Sequence, residues 1–313
     1  MVMKDEFVNI VLTINNKYAV PTYITIQSLF QYAAIGRRYR VIIISEDLTR
    51  GNRKELELLQ KETRHELKFI YLSELNVITP KVSYYWPKVV YYRLVLCDIL
   101  KEYDKVIFSD VDILVQGDLY DVWKIEMGSS EIAAVAAEDN RKGSFHQYYE
   151  ENDRERIYWA GFLVMNLKEM RKNNWVSRCN VSLKKYQNRL RMADLEIINM
   201  IANNIIPLDI RYVYLQSLYD ATDITETYEW QFLRRIYTKE YLEREKEKVI
   251  IIHYAGIMGN PWIRKNIPDY YKPYMRALPF RLKAQNYLYR MNDRIRHIGG
   301  VLFRKFKRMR SFN

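Results

Sequence analysis

The chain is poor in the residues that build disulfide or metal-cage scaffolds: its 313 residues include two cysteines and four histidines. Cys97 and Cys179 lie far apart, outside any CxxC or His-rich context, which argues against a zinc cage and leaves them as small buried hydrophobes. Long apolar runs are missing too. Val41-Ile42-Ile43-Ile44 and Val249-Ile250-Ile251-Ile252 are strand-sized, far short of the roughly 20 residues of a membrane span, so no integral span is expected. The first residues, MVMKDEFVNIVLTI, put acidic side chains before the apolar run and lack a small-residue cleavage site. They read as a first strand rather than a signal peptide, and cytoplasm is the default expectation. No internal repeat is present, and no low-complexity linker precedes Pro261.

What is there is a substantial core. With 49% hydrophobic residues the chain can build one large domain or two modest ones, and disorder is not expected. The net charge of +12 suggests nucleic acid until it is located. Fourteen of the 50 Lys and Arg and two of the 38 Asp and Glu fall from Arg264 onward, which leaves 36 of each sign before it. A neutral body therefore carries a basic end, and the body shows no nucleic-acid motif.

Strands and helices alternate. Residues 7–14 form a β-rich run suited to burial on both faces; a helix with Pro21 near its start follows, carrying Ile24, Ile26, Leu29 and Phe30. YRVIIISED reads as a strand, RGNRKELELLQKETR as a surface helix, ELKFIYL as a strand and KVVYYRLVLCDIL as a helix. Further strands fall at EIAAVAAED, at IYWAGFLVMN leading into a helix, and at VIIIHYAG, with ADLEIINMIANN helical between. Such alternation predicts a mostly parallel α/β sheet with ligands beyond the carboxyl ends of its strands, where residues 15–18, 110–112 and 253–256 fall.

KVIFSDVDILVQGDL poses the chemical question: an apolar strand runs into two aspartates one residue apart. If the strand continues, Asp110 and Asp112 share a face while Val111 points back, and like charges there cost free energy unless a cation or a proton sits between them. The plain alternative is a strand ending in a polar turn at Gly117-Asp118.

Four ordered blocks carry a resemblance. YYRLVLCDILKEYDKVIFSDVDILVQGDLYDVW, AGFLVMNLKEMR, DLEIIN and IIHYAGIMGNPW resemble the retaining nucleotide-sugar glycosyltransferases of family eight, which include glycogenin and bacterial galactosyl- and glucosyltransferases of lipopolysaccharide and surface-glycan assembly. The resemblance runs from about Val8 to Trp262. It implies a glycosyltransferase A-type, Rossmann-like fold and a divalent metal, Mn2+ or Mg2+, holding the diphosphate of a UDP-sugar. On this reading Asp110, Asp112 and His253 are the metal ligands, an O/N set that suits manganese. Arg93 pairs with the diphosphate or orients an aspartate, Tyr18 stacks on uracil, and the backbone of Thr13, Ile14 and Asn15 meets the base edge. Val111, Gly256 and Asn260 complete the donor site. Gly161 allows close approach, and Asp194 holds the sugar hydroxyls, with Glu196 and Asn199 as lesser candidates. Arg93, Asp194 and Glu196 are the catalytic candidates. Each has a structural reading beside it: a surface arginine, a core tyrosine, a helix cap at Asp194.

The chain also departs from the family pattern. Asn15-Asn16-Lys17-Tyr18 replaces a more acidic turn, Trp159 replaces a frequent asparagine, and Leu195 stands where relatives often carry glutamine. Asn260 replaces a phosphate-binding lysine, so Lys17 or Arg264 would have to supply that charge.

Phe280, Ala284, Tyr287, Leu288, Met291, Ile295 and Ile298 follow helical spacing, and Leu302, Phe303, Phe306 and Met309 oppose five basic residues. That is the composition of an interfacial helix, worth on the order of 5 kcal/mol from its charges at anionic lipid, with core packing, solvated disorder and nucleic-acid binding as alternatives.

The expectation is a donor-binding domain over residues 1–263 and a basic, membrane-associating extension over 264–313. The protein would be peripheral on the inner face of the cell membrane and would transfer a hexose to a glycan or glycolipid. Two rivals stand beside it. One is a phosphotransferase using the two aspartates as nucleophile and acid, against which Leu114 occupies a position where Thr or Val is expected. The other is a degenerate transferase that binds without turnover.

Overall fold

The computed structural model describes residues 7–61, 63–72, 88–140, 154–186, 190–255, 259–264 and 266–291. Ten strands occur among them: β1 (Phe7–Thr13), β2 (Arg38–Ser45), β3 (Glu66–Tyr71), β4 (Lys105–Ser109), β5 (Ile113–Val115), β6 (Ile132–Asp139), β7 (Arg156–Asn166), β8 (Ile205–Leu208), β9 (Tyr214–Leu215) and β10 (Ile251–His253). Seven form one sheet in the order β3-β2-β1-β4-β7-β6-β8, and a small sheet runs β5-β10-β9. Pairing in the large sheet is parallel except at β7, which is antiparallel to both neighbours. The α/β, mostly parallel fold expected from the alternation is what forms.

The strands are apolar on both sides because both sides are covered. Val8, Ile10 and Leu12 of β1 and Val41 and Ile43 of β2 face one core, where the helix Ala19–Gln31 lies. Val11, Ile42, Ile44, Val106 and Phe108 face the other, under the helices Trp175–Tyr186 and Asp194–Ile201. Each such side chain is worth about 1.5–3 kcal/mol of burial, enough to fix the register that sets the strand ends level.

Two local readings need correction. KVVYYRLVLCDIL is not one α-helix: Lys88–Val95 is 3-10 and only Leu96–Ile99 is α. The β-branched pair Val89-Val90 weakens the α form, and the tighter turn stacks Val90 beneath Arg93. β8 was not foreseen because it contains Pro207, which the sheet accepts at its edge. Residues 280–291 are helical, with the apolar stripe the spacing suggests turned outward. Leu282 and Asn286 are buried, continuing the core begun by Tyr271, Tyr274 and Leu278, whereas Phe280, Tyr287, Leu288 and Met291 are exposed. The remaining basic end lies outside the described residues. Among the described residues no helix is long and apolar enough to cross a membrane.

Candidate active site

β4 stops at Ser109 and β5 begins at Ile113, so the two aspartates sit on a bend rather than on a continuing strand. They converge nonetheless, because the bend is pinned from three directions. The Asp110 N–H donates to Gly161 O (2.7 Å) on β7, and the Tyr254 N–H donates to Asp112 O (2.8 Å). The Thr25 hydroxyl, from the first helix, reaches both Val111 O (2.9 Å) and Ile113 O (3.2 Å). Val111 is buried between the two carboxylates' positions, as the alternation required. β5 and β10 pair antiparallel with His253 opposite Ile113, which sets the imidazole one residue from Asp112.

The result is a three-residue cluster built from segments 141 positions apart, the span from Asp112 to His253. His253 Nε2 lies 3.4 Å from Asp112 Oδ1 and 3.9 Å from Asp110 Oδ2, yet it forms no hydrogen bond among the described residues. One ligand atom from each residue can be chosen so that all lie within 4.8 Å of one another. Ligands of a six-coordinate ion stand about 3 to 4.2 Å apart, so these spacings suit a divalent cation. The orphaned imidazole nitrogen and the O/N donor set point the same way. Gly161 makes the approach possible: a Cβ there would lie 2.6 Å from His253 Cε1 and 2.8 Å from Asp110 Oδ2. The glycine thus gives room to the ligands themselves.

Arg93 is the cation already in place. Its Nη2 donates to Asp110 Oδ1 (2.8 Å) and its Nη1 to Ala160 O (2.6 Å). Nε donates to Val90 O (3.2 Å) and lies 3.0 Å from Asp194 Oδ2, and the guanidinium sits 4.3 Å over the Phe108 ring. Burial opposes its charge, but Asp110 and Asp194 hold its pKa above the ordinary value. It therefore orients Asp110 and pairs with Asp194, and the surface-arginine alternative falls.

Burial also pushes the Asp110 carboxyl up against the pull of Arg93, and lifts that of Asp194 to about 7. For Asp112 burial is outweighed by His253 and the pKa is lowered; for His253 burial is outweighed by Asp112 and Asp110 and the pKa is raised. The bend is an acidic pair facing one imidazole, and a divalent ion held there would favour the neutral ring, since metal ligands must be deprotonated.

A cavity of about 480 Å³ opens over this cluster. Thr13, Ile14, Asn15, Tyr18, Arg93, Asp110, Val111, Asp112, Gly161, Asp194, His253 and Asn260 all line it. Tyr18 is 37% exposed and meets Trp262 edge-on at 6.2 Å, so it is no core tyrosine. Gly256 lies outside the described residues. Glu196 does not line the cavity: its carboxylate accepts the N–H groups of Arg191 and Met192 and shapes the turn ahead of Asp194. Asn199 is likewise structural, bonding both the N–H and the C=O of Tyr158. Neither Lys17 nor Arg264 lines the cavity, and the Arg264 guanidinium donates to Gln216 Oε1 (2.6 Å). Among the described lining residues Arg93 is the sole cation.

Sequence reasoning missed Val89, Val90 and Met192 as lining residues. It also missed Ala193, which adopts φ 49° without being glycine and aims Asp194 inward at the start of its helix. Only their closeness to the recognised blocks could have suggested them.

Comparison with known proteins agrees with this geometry. The galactosyltransferase LgtC, solved with donor and acceptor sugar analogues, superposes with a TM-score of 0.69 at 18% identity, covering 88% of this chain and 99% of its own. The bifunctional glycosyltransferase WbbM gives a TM-score of 0.71 at 20% identity over 92% of this chain, which spans about half (52%) of that protein. These likenesses show a glycosyltransferase A-type fold. A Haemophilus influenzae protein that carries glycosyltransferase as a provisional name is 21% identical over 316 residues, covering 92% of this chain and 89% of its own. The model of glycosyl transferase family 8 matches residues 9–266. The phosphotransferase rival is thereby removed: the chain belongs to glycosyl transferase family 8 and is a glycosyltransferase.

Proposed function

We propose that the protein is a retaining, metal-dependent hexosyltransferase that moves a hexose from a UDP-sugar to a surface glycan, such as lipopolysaccharide, capsule or a lipid-linked saccharide. The observation that carries this reading is the meeting of Asp110, Asp112 and His253 beneath a cavity that also holds Tyr18, Arg93 and Asp194. Asp110, Asp112 and His253 would hold the ion, Mn2+ or Mg2+. When bound it supplies Lewis-acid stabilisation of the diphosphate that leaves the sugar.

The chain's own residues divide the remaining work. Tyr18 offers an aromatic face to the base, with the backbone of Thr13, Ile14 and Asn15 beside it. The Asn15 side-chain oxygen caps the turn by accepting from Lys17 N (3.1 Å), and its carbonyl accepts from Tyr18 N (3.0 Å). Arg93 keeps Asp110 ionised and oriented, Asp194 meets sugar hydroxyls, and Asn260 faces the phosphates without charge. Among the described lining residues no second Lys or Arg compensates for Asn260, so charge neutralisation falls on the ion and Arg93. Leu195 offers no nucleophile, which favours same-face attack over double displacement.

The exposed Phe280, Tyr287, Leu288 and Met291, among Arg281, Lys283 and Arg290, support a peripheral position on anionic membrane, where a lipid-held acceptor would be met. The family match ends at residue 266, close to the proposed division between residues 1–263 and 264–313.

Calorimetry of UDP with and without Mn2+, followed by assay of UDP-sugar hydrolysis, tests the reading. UDP binding that requires the ion, and UDP release from at least one UDP-sugar, are expected. Ion-independent binding would remove the cluster from the site, and binding with no hydrolysis of any donor would leave a nucleotide-binding protein without turnover.

A further inference from the structure

The turn that delivers Asp194 to the cavity is strained, and the residue that holds it does not line the cavity. The helix Asp194–Ile201 begins without a side-chain cap, and the residue before it, Ala193, sits at φ 49°, ψ −114°. A residue with a Cβ rarely keeps a positive φ, and such strain persists only where neighbouring groups fix it. Ala193 is fully buried, so this is no loose surface turn.

Glu196 supplies the fixing. Its buried carboxylate reaches back over the first turn of the helix, where a single oxygen, Oε2, accepts the N–H groups of Arg191 (2.8 Å) and Met192 (3.0 Å). A glutamate at this third helical position ordinarily bonds the N–H of the residue just before the helix. Here it reaches one and two residues further and clamps the far side of Ala193. Leu195 N closes the turn on Met192 O (3.1 Å). Burial raises the pKa of the Glu196 carboxyl against the pull of both N–H groups. On the near side of Ala193 stands Asp194, also buried, with Oδ2 3.0 Å from Arg93 Nε, and Arg93 in turn donates to Asp110 Oδ1 (2.8 Å). Freed from the clamp, Ala193 would relax toward negative φ and carry the Asp194 carboxylate off the guanidinium.

Resting on the UDP-sugar reading, we propose that Glu196 is a positioning residue for the reaction: it acts through Asp194, by holding Ala193 in its strained conformation. A clamp needs an acceptor oxygen, whereas a chemical role needs the charge and a path to the substrate.

The test pairs kcat/KM for hydrolysis with UDP affinity in Mn2+, measured on the same samples. The donor is whichever of UDP-glucose, UDP-galactose, UDP-N-acetylglucosamine and UDP-N-acetylgalactosamine the wild type cleaves fastest. Glu196→Ala should lower hydrolysis about tenfold to a hundredfold, the strain of a non-glycine positive φ, and leave UDP affinity within about twofold, since Asp194 meets the sugar alone. Glu196→Gln, whose one amide oxygen can accept both N–H groups, should keep about tenfold more activity than Glu196→Ala. Adding Ala193→Gly to Glu196→Ala should recover about threefold or more, because glycine takes the positive φ without strain and needs no clamp. Misfolding would instead lower UDP binding along with hydrolysis, and glycine would not repair it. Equal losses in Glu196→Gln and Glu196→Ala overturn the inference by making the charge the working group. Wild-type hydrolysis in Glu196→Ala overturns it too, as does a loss that Ala193→Gly leaves unrepaired. In each of these cases UDP still binds and the donor reading stands. A wild type that binds no UDP, or cleaves none of the four donors, removes the donor reading and this inference with it.

Discussion

Two sets of buried carboxylates sit at opposite ends of the same sheet. Glu131, just before β6, is fully buried and fully occupied: Oε1 is met by Arg178 and by Asn173 Nδ2 (3.1 Å), and Oε2 by Asn203 N (2.6 Å). Asp110 and Asp112, beyond β4, retain about a quarter of their side-chain surface toward the cavity (28% and 27%) and face an imidazole nitrogen that bonds to nothing among the described residues. Both sites bury negative charge next to an arginine. The difference lies in completeness: satisfied groups hold the fold, and groups left with open valences wait for a ligand.

The comparison can be broken by mutation. Asp110→Asn with Asp112→Asn should lower donor hydrolysis by a hundredfold to a thousandfold (~3–4 kcal/mol) with Tm little changed, since relief of the repulsion offsets the weakened pairing with Arg93 and His253. A parallel fall in Tm would mean that these residues are structural too. Glu131→Ala should do the reverse, costing about 3 kcal/mol in denaturant unfolding because Arg178 and two N–H groups lose their acceptor, with Mn2+-dependent UDP affinity intact in the folded fraction. Gly161→Ala stands between them. Its Cβ meets His253 and Asp110, so Mn2+ affinity should drop about tenfold to a hundredfold while stability falls by about 1–3 kcal/mol, read by calorimetry and thermal melts.

The smallest effect is one of pH. His65 accepts the Tyr39 N–H through Nδ1 (3.1 Å) and stacks on Phe30 at 4.0 Å, and burial lowers its pKa. A group whose folded pKa is depressed adds stability above its unfolded value, about 6.5, and that stability is lost as pH falls through the folded value. His253 has the opposite sign in the metal-free protein: its raised pKa adds stability at low pH that is lost as pH rises through the folded value. Denaturant midpoints between pH 5 and pH 8 should therefore lose part of their acid-side fall in His65→Gln and steepen in His253→Ala. Unchanged profiles in both variants would remove the contrast.

The large sheet was legible because its cause is local. Apolar side chains stand on both faces of β1, β2 and β4, as in Val41 and Ile43 against Ile42 and Ile44, and only a sheet covered on both faces gives each of them a core. The acid pair and the late histidine were legible for the same reason, each standing at the end of an apolar run. What escaped depends on partners far along the chain. The Thr25 clamp joins residues 86 positions apart, and Glu196 looks catalytic until its carboxylate is seen bonded to Arg191 and Met192. The C-terminal helix shows the limit of periodicity: spacing finds its apolar stripe, which is exposed, but not that Leu282 and Asn286 on the other side are buried beside Tyr274 and Leu278.

That helix has a practical corollary. Gln285 Nε2 donates to Asn16 O (3.4 Å), in the turn just ahead of Tyr18, and Arg290 donates to Arg264 O (2.7 Å), so the last described helix props the turn beside the cavity. Shortening the basic end to improve handling should begin after residue 291. A cut near 264 would remove that brace together with Tyr271, Tyr274 and Leu282, and uncover the core they pack against.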